Sequence, residues 1–168
     1  RAMGLVASSK MRRANEAMNN GREYAAAFGK AIDLLAGSPE CARSPYMAER
    51  EGGKVKLIVI AGDRGLAGGY NANIFRAVAE MGKIDILPIG KRACDRFGKG
   101  YASSEYFTRM DAAELSRRLC EEFVRGQFDR LGILSTRYIS MMSQEPTLTW
   151  VLPLKRPDGQ QASSVLFE

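Results

Sequence analysis

Four glycines, with one acidic and one basic residue between them, follow the most apolar stretch of the chain. Residues 55–61 read VKLIVIA and residues 62–69 read GDRGLAGG, after which a helical pattern begins. A glycine-rich turn between a buried strand and a helix binds phosphate in many proteins, because backbone N–H groups converge there. This turn is therefore the first candidate for chemistry.

The details of the turn favour a sharp corner over a phosphate site. Its glycines are spaced G-x-x-G-x-x-G-G, whereas a dinucleotide site has G-x-G-x-x-G, and no Gly-Lys-Ser or Gly-Lys-Thr follows as in a P-loop. Asp63 places a negative charge where a phosphate would bind, unless the neighbouring Arg64 neutralises it. Phosphate binding is thus the weaker alternative. The residues interpreted as a structural turn are Gly62, Asp63, Arg64, Gly65, Gly68 and Gly69.

Composition removes several other kinds of site. The 168 residues, of which 45% are hydrophobic and 26% charged, are typical of a globular domain, and no apolar run approaches the ~20 residues of a membrane span. Histidine is absent, which excludes the commonest general base and metal ligand. The three cysteines form no C-x-x-C pair, and the net charge of +6 suits an acidic partner without requiring nucleic acid. We expect no catalytic residue, cofactor or metal.

The first 36 residues have a heptad pattern, which predicts a long helix with a coiled-coil seam. The a positions are Gly4, Met11, Met18, Ala25 and Ile32, and the d positions are Ala7, Ala14, Gly21, Phe28 and Leu35. The alternative is an amphipathic helix that lies on its own domain. Since no other predicted helix of the chain is long enough to cover this seam, we expect its partner outside the chain. Alone, the chain should self-associate through residues 1–37.

Basic residues are concentrated near the start of this helix. Arg1, Lys10, Arg12 and Arg13 all precede the first acidic residue, Glu16. Such a cluster is either a solvated helix face or a contact for an acidic surface.

Beyond residue 54 the pattern alternates between strands and helices. This alternation predicts an α/β fold with an open, largely parallel, Rossmann-like sheet and flanking helices, in addition to the long N-terminal helix. Three parts follow: a coiled-coil helix over 1–37, a linker over 38–53 and an α/β domain over 54–168. The predicted strands are 55–61, 84–89, 104–108, 131–136 and 147–154, and the predicted helices are 71–82, 91–98 and 111–126.

Several stretches resemble one family, in the same order along the chain. DRGLAGGYNANIF resembles the D-R-G-L-C-G-G-x-N stretch of the gamma subunit of F-type ATP synthase, with Ala67 where that family often has Cys. Similar matches are RAMGLVASSKMRRA, PIGKRACDRF, STRYISMMSQEPTLTWVLPL and SSVLFE. In that family the N-terminal helix pairs with a long C-terminal helix, so the resemblance implies a central fragment that lacks that helix and the extreme N-terminus.

The resemblance implies a rotor rather than a catalyst. Gamma is the central stalk that couples proton translocation through the membrane c-ring to ATP synthesis or hydrolysis by the alpha and beta subunits. It implies that Met3, Lys10, Arg12 and Arg13 contact the catalytic hexamer, and that Val165, Leu166 and Phe167 lie near the epsilon subunit and the c-ring. The expected location is the cytoplasmic face of a bacterial membrane, reached only through partners.

Two other classes of function compete with this reading. A nucleotide-binding Rossmann-like enzyme would need the phosphate site that the turn does not convincingly offer. A nucleic-acid-binding protein would use the basic helix, but no aromatic stacking platform accompanies those residues.

Overall fold

The computed structural model describes residues 2–65, 68–140 and 143–157, which divide into two compact units. Of the described residues, the first unit contains 2–43 and 155–157, and the second contains those between Ser44 and Leu154. Within the described residues, no helix combines the length and apolar character needed to cross a membrane.

The first unit is dominated by one helix. Helix α1 spans Ala2–Gly37, and a short 3-10 turn at Glu40–Arg43 follows it. Pro39 lies just beyond the last turn and has no backbone N–H to continue the helix. The prediction of a long N-terminal helix is confirmed in its extent, whereas its pairing in a coiled coil stays a prediction.

The second unit is an α/β structure built on four strands. These are β1 (Val55–Ile60), β2 (Asp85–Ile89), β3 (Arg130–Tyr138) and β4 (Gln144–Leu152), in the spatial order β2-β1-β3-β4. Strand β1 pairs in parallel with both β2 and β3, and β4 pairs antiparallel with β3. The helices are α2 (Gly69–Ala79), α3 (Lys91–Phe97) and α4 (Arg109–Val124).

Helices cover both faces of the sheet, which explains why β1 is apolar at almost every position. On one face, Leu57 and Val59 pack with residues of α2. On the other face, Ile58 packs with residues of α4. The helical partners are Ile74 and Val78 of α2 and Leu115, Leu119 and Phe123 of α4.

Two expectations about the sheet need correction. The predicted strand over 104–108 does not form: Thr108 instead caps α4, since its side chain accepts from the Asp111 N–H while the Asp111 side chain accepts from the Thr108 N–H. The sheet is also mixed, because only residues 139–143 connect β3 to β4. A connection this short allows an antiparallel neighbour but no crossover to a parallel one.

The second half of the predicted linker belongs to the α/β unit. Tyr46 packs against the core on the α4 face, and its carbonyl oxygen accepts a hydrogen bond from the Leu154 N–H at 2.8 Å. The chain therefore enters the unit beside the point where it leaves. The side chains of Arg50 and Asp129 also hold this segment to the unit.

Candidate functional site

Helix α1 presents the predicted seam to solvent. Met11, Phe28 and Leu35 expose 43%, 56% and 42% of their surface, and Met18 and Ile32 are half-buried. Fully burying such a side chain is worth about 1.5–3 kcal/mol. A run of exposed apolar residues at heptad spacing is a surface on which a second helix would gain burial energy.

Glycines within α1 support the same interpretation. A Cβ added at Gly4, Gly21 or Gly29 would meet no atom within 4 Å, so space within the described structure does not require glycine there. Glycine in a helix interior costs about 1 kcal/mol relative to alanine. Gly4 and Gly21 are seam positions, where a bare backbone lets another helix approach closely.

The basic end of α1 is exposed and weakly paired. Lys10, Arg12 and Arg13 are all exposed. Arg12 Nε lies 3.9 Å from Glu16 Oε1, but both side chains are more than 60% exposed, so this ion pair contributes little stability. Met3 lies in the helix, and its side chain is outside the description.

In the α/β unit, the glycine-rich turn is organised around the carboxylate of Asp63. Asp63 Oδ1 accepts from the Lys91 N–H at 2.9 Å and from the Ser104 N–H at 2.8 Å. Asp63 Oδ2 accepts from the Glu105 N–H at 3.1 Å and from the Ser103 hydroxyl. The carboxylate thus joins three segments: the turn after β1, the first residue of α3 and the loop before α4.

These donors stabilise the charged form of Asp63. Burial by itself would raise the pKa of the carboxyl, but the hydrogen bond from the Ser103 hydroxyl and those from the backbone of Ser104, Lys91 and Glu105 lower it well below its usual range. Asp63 is therefore ionised at neutral pH. Its negative charge takes the N–H donors that a bound phosphate would otherwise use.

The rest of the turn is fixed by an asparagine and by glycine geometry. Asn71 Oδ1 accepts from the Gly62 N–H at 2.9 Å, and Asn71 Nδ2 donates to the Arg64 carbonyl at 3.1 Å. Gly68 has φ of 57°, the positive φ that the corner interpretation expects of at least one of its glycines. A Cβ at Gly65 would lie 2.3 Å from Arg92 Nη2, so the missing side chain makes room for that guanidinium.

Sequence reasoning missed the partners of Asp63. It treated the acid as an obstacle to phosphate, whereas the carboxylate binds the loop at Ser103, Ser104 and Glu105, about forty residues away in the sequence. The adjacent serines were the available signal, since short hydroxyl side chains often bond carboxylates in loops. Nothing in the local pattern showed that this loop lies beside the turn.

The remaining predicted contacts lie outside the described structure. Val165, Leu166 and Phe167 are beyond residue 157, where the description ends. Among the described residues, no cluster of Cys, Asp or Glu has the arrangement of a metal site. The cysteines Cys41, Cys94 and Cys120 are free.

Comparisons with known proteins identify relatives that match along the whole chain. A family model described as ATP synthase matches residues 1–168. The ATP synthase gamma chain of Geotalea daltonii is 32% identical over 189 residues, covering 100% of this chain and 65% of the relative. That of Desulforamulus reducens is 30% identical over 173 residues, covering 96% of this chain and 61% of the relative. The chain therefore spans less than two thirds of the length of either relative.

A solved structure shares the fold. A chain from the central stalk and c-ring of the Tetrahymena thermophila mitochondrial ATP synthase superposes with a TM-score of 0.71 at 20% sequence identity. The match covers 90% of this chain and 71% of that one.

Proposed function

Because the chain belongs to the gamma-chain family of ATP synthase, we propose that it is a rotor subunit of the central stalk. In this role it couples proton translocation through the membrane c-ring to ATP synthesis and hydrolysis in the catalytic hexamer. The observation that carries the proposal is the exposed seam of α1. As a shaft helix, α1 would bury this seam against a second long helix.

Each part of the chain has its own role in this proposal. Residues 1–37 form one helix of the shaft, residues 38–43 connect it to the α/β unit, and that unit, Ser44–Leu154, forms the foot of the stalk. The exposed cations Lys10, Arg12 and Arg13 support a contact between the shaft and acidic loops of the alpha and beta subunits, with Met3 in the same contact. Residues Val165, Leu166 and Phe167 contact epsilon and the c-ring.

The proposed subunit performs no chemistry of its own. The glycine-rich turn is the place where a nucleotide would bind, and the carboxylate of Asp63 accepts hydrogen bonds there from the donors that a phosphate needs. A phosphate brought to this turn would meet a negative charge. We therefore place ATP on partner subunits, and the protein on the cytoplasmic face of a bacterial membrane through those partners.

Purification with an antibody against the α/β unit tests the proposal. We expect the alpha, beta and epsilon subunits to be recovered with the chain in fixed ratio, and Phe28→Glu combined with Ile32→Glu to reduce that recovery. Ala27→Glu adds one negative charge at an exposed position off the seam and serves as the control for each of the two substitutions. Recovery of the wild-type chain without alpha and beta subunits would disprove the proposed function.

A further inference from the structure

The chain between α1 and the sheet is anchored to the α/β unit at three points. We call residues 46–54 the anchor segment. At its start, the Tyr46 carbonyl accepts from the Leu154 N–H at 2.8 Å. At its centre, Arg50 Nη1 donates to the carbonyl of Phe123 and, at 3.2 Å, to that of Phe128. At its end, the Lys54 N–H donates to Asp129 Oδ2 at 2.9 Å.

The central contact is stronger than an ordinary loop hydrogen bond. Phe123 lies in the last turn of α4, whose carbonyl end carries a partial negative charge, and its carbonyl also accepts from the Gly126 N–H at 3.0 Å. The Arg50 guanidinium brings a full positive charge to this helix end and also lies 4.5 Å from the centre of the Phe123 ring. One side chain therefore fixes the segment both to a helix end and to the core.

The final contact is buried and closely fitted. Asp129 is only 6% exposed, and its own N–H donates back to the Lys54 carbonyl at 2.8 Å. A Cβ at Gly52 would lie 2.6 Å from Asp129 Oδ2, so the segment passes directly over this carboxylate. Two reciprocal hydrogen bonds at a buried site hold the backbone in one position.

We propose that Arg50 and Asp129 make the anchor segment a stiff mechanical link through which the α/β unit and α1 transmit load. The inference rests on the proposed rotor function. The backbone connects the two units at residues 43/44 and again at 154/155, and the first of these connections carries load from α1 into the anchor segment. A loose segment would stretch before it transmitted force, whereas hydrogen bonds at Tyr46, Arg50 and Lys54 pass force directly to α4 and the strand ends.

The test compares coupling with hydrolysis in the assembled ATP synthase that contains this chain. In inverted membrane vesicles, we expect Arg50→Gln to lower ATP-driven proton pumping against a gradient while ATP hydrolysis stays near the wild-type rate. Amide exchange at Lys54 should become roughly tenfold faster, as expected for the loss of a charge-assisted hydrogen bond. Arg125→Gln is the matched control, because Arg125 lies at the same end of α4 and pairs with the exposed Glu121 on the surface.

A second variant loosens the same link from its other end. Gly52→Ala keeps Arg50 but pushes against Asp129, and it should lower the pumping-to-hydrolysis ratio in the same direction; it decides the question if the Arg50→Gln chain does not assemble. An unchanged ratio overturns the inference, whether amide exchange at Lys54 is faster or unaltered. Failure of the wild-type chain to assemble with alpha and beta subunits would instead overturn the proposed function.

Discussion

At the residue scale, Asp63 shows how a protein can fill a potential anion site with its own side chain. The donors that converge on it come from the backbone of Lys91, Ser104 and Glu105. In nucleotide-binding proteins, such N–H groups are left for phosphate oxygens. Here they hold the turn after β1 to the first residue of α3 and to the loop before α4.

Replacing Asp63 with asparagine should destabilise the α/β unit. Asparagine retains one accepting oxygen. Its NH2 group would replace Oδ2 and face the Ser103 hydroxyl and the Glu105 N–H, which donate to Oδ2 in the wild type. We expect a loss of roughly 1.5–3 kcal/mol in the free energy of unfolding, measured by urea denaturation. Asp95→Asn, which removes an exposed carboxylate paired with Arg92 at 3.6 Å, should cost less than about 1 kcal/mol. Equal losses in the two variants would contradict the role assigned to Asp63.

The same carboxylate predicts a dependence of stability on pH. The folded-state pKa of Asp63 is lowered, so its contribution is fully present above the unfolded pKa of about 3.9 and is lost as the pH falls below that value. The free energy of unfolding of the wild type should therefore fall more steeply below about pH 4 than that of Asp63→Asn. The pKa of Asp111 is also lowered, by the side-chain and backbone hydrogen bonds of Thr108, but this effect is common to both proteins. Parallel curves over this range would show that Asp63 is not the group responsible.

The local part of the candidate site could be predicted from sequence, whereas its distant part could not. The corner at Gly62–Gly69 follows from glycine spacing and from the misplaced acid, and both are local properties of the sequence. The contacts of Asp63 with Ser103 and of Arg50 with Phe123 join residues 40 and 73 positions apart. Such contacts depend on how the strands are ordered, which periodicity does not specify.

At the element scale, the predicted strand that is buried on both faces forms, whereas the predicted strand that ends in a helix cap does not. Strand β1 was predicted at 55–61 and forms at Val55–Ile60, because both of its faces are covered. Residues 104–108 have aromatic residues suited to a strand, but Thr108 and Asp111 begin helix α4 there. A capping box whose acidic member, Asp111, is the first residue of the predicted helix was the stronger signal.

The close approach of the chain just after β1 and just after β2 gives a prediction at this scale. Gly90 follows β2 with φ of 101°, and a Cβ there would lie 2.0 Å from the Ala61 carbonyl oxygen. Gly82 also has positive φ, 77°, but a Cβ there would meet no atom within 4 Å. We expect Gly82→Ala to cost about 1–3 kcal/mol of backbone strain, and Gly90→Ala to cost about 1–3 kcal/mol more from overlap. Thermal unfolding of the two variants measures the difference, and equal melting temperatures would exclude a close approach of Gly90 to Ala61.

At the scale of the whole molecule, the exposed seam of α1 predicts self-association of the chain alone. Phe28 is 56% exposed and stacks on Tyr24, which is 72% exposed, so burying these rings between copies removes a large apolar area from water. Sedimentation over a concentration series should show dimers or larger species. Phe28→Glu and Ile32→Glu should shift the protein towards monomer, and Ala27→Glu should not. A monomer at high concentration whose α1 amides are protected from exchange would mean that the seam is covered within the chain.

The hydrogen bond between Tyr46 and Leu154 has a consequence for modularity. It brings together the two ends of the Ser44–Leu154 unit, and units whose ends meet are the ones most easily inserted into, or removed from, another chain. Such a unit can be exchanged for the corresponding unit of a relative without changing the residues of α1. It can also be replaced by a short turn that joins the two points where the chain enters and leaves it. The α/β unit can therefore diversify in evolution independently of α1.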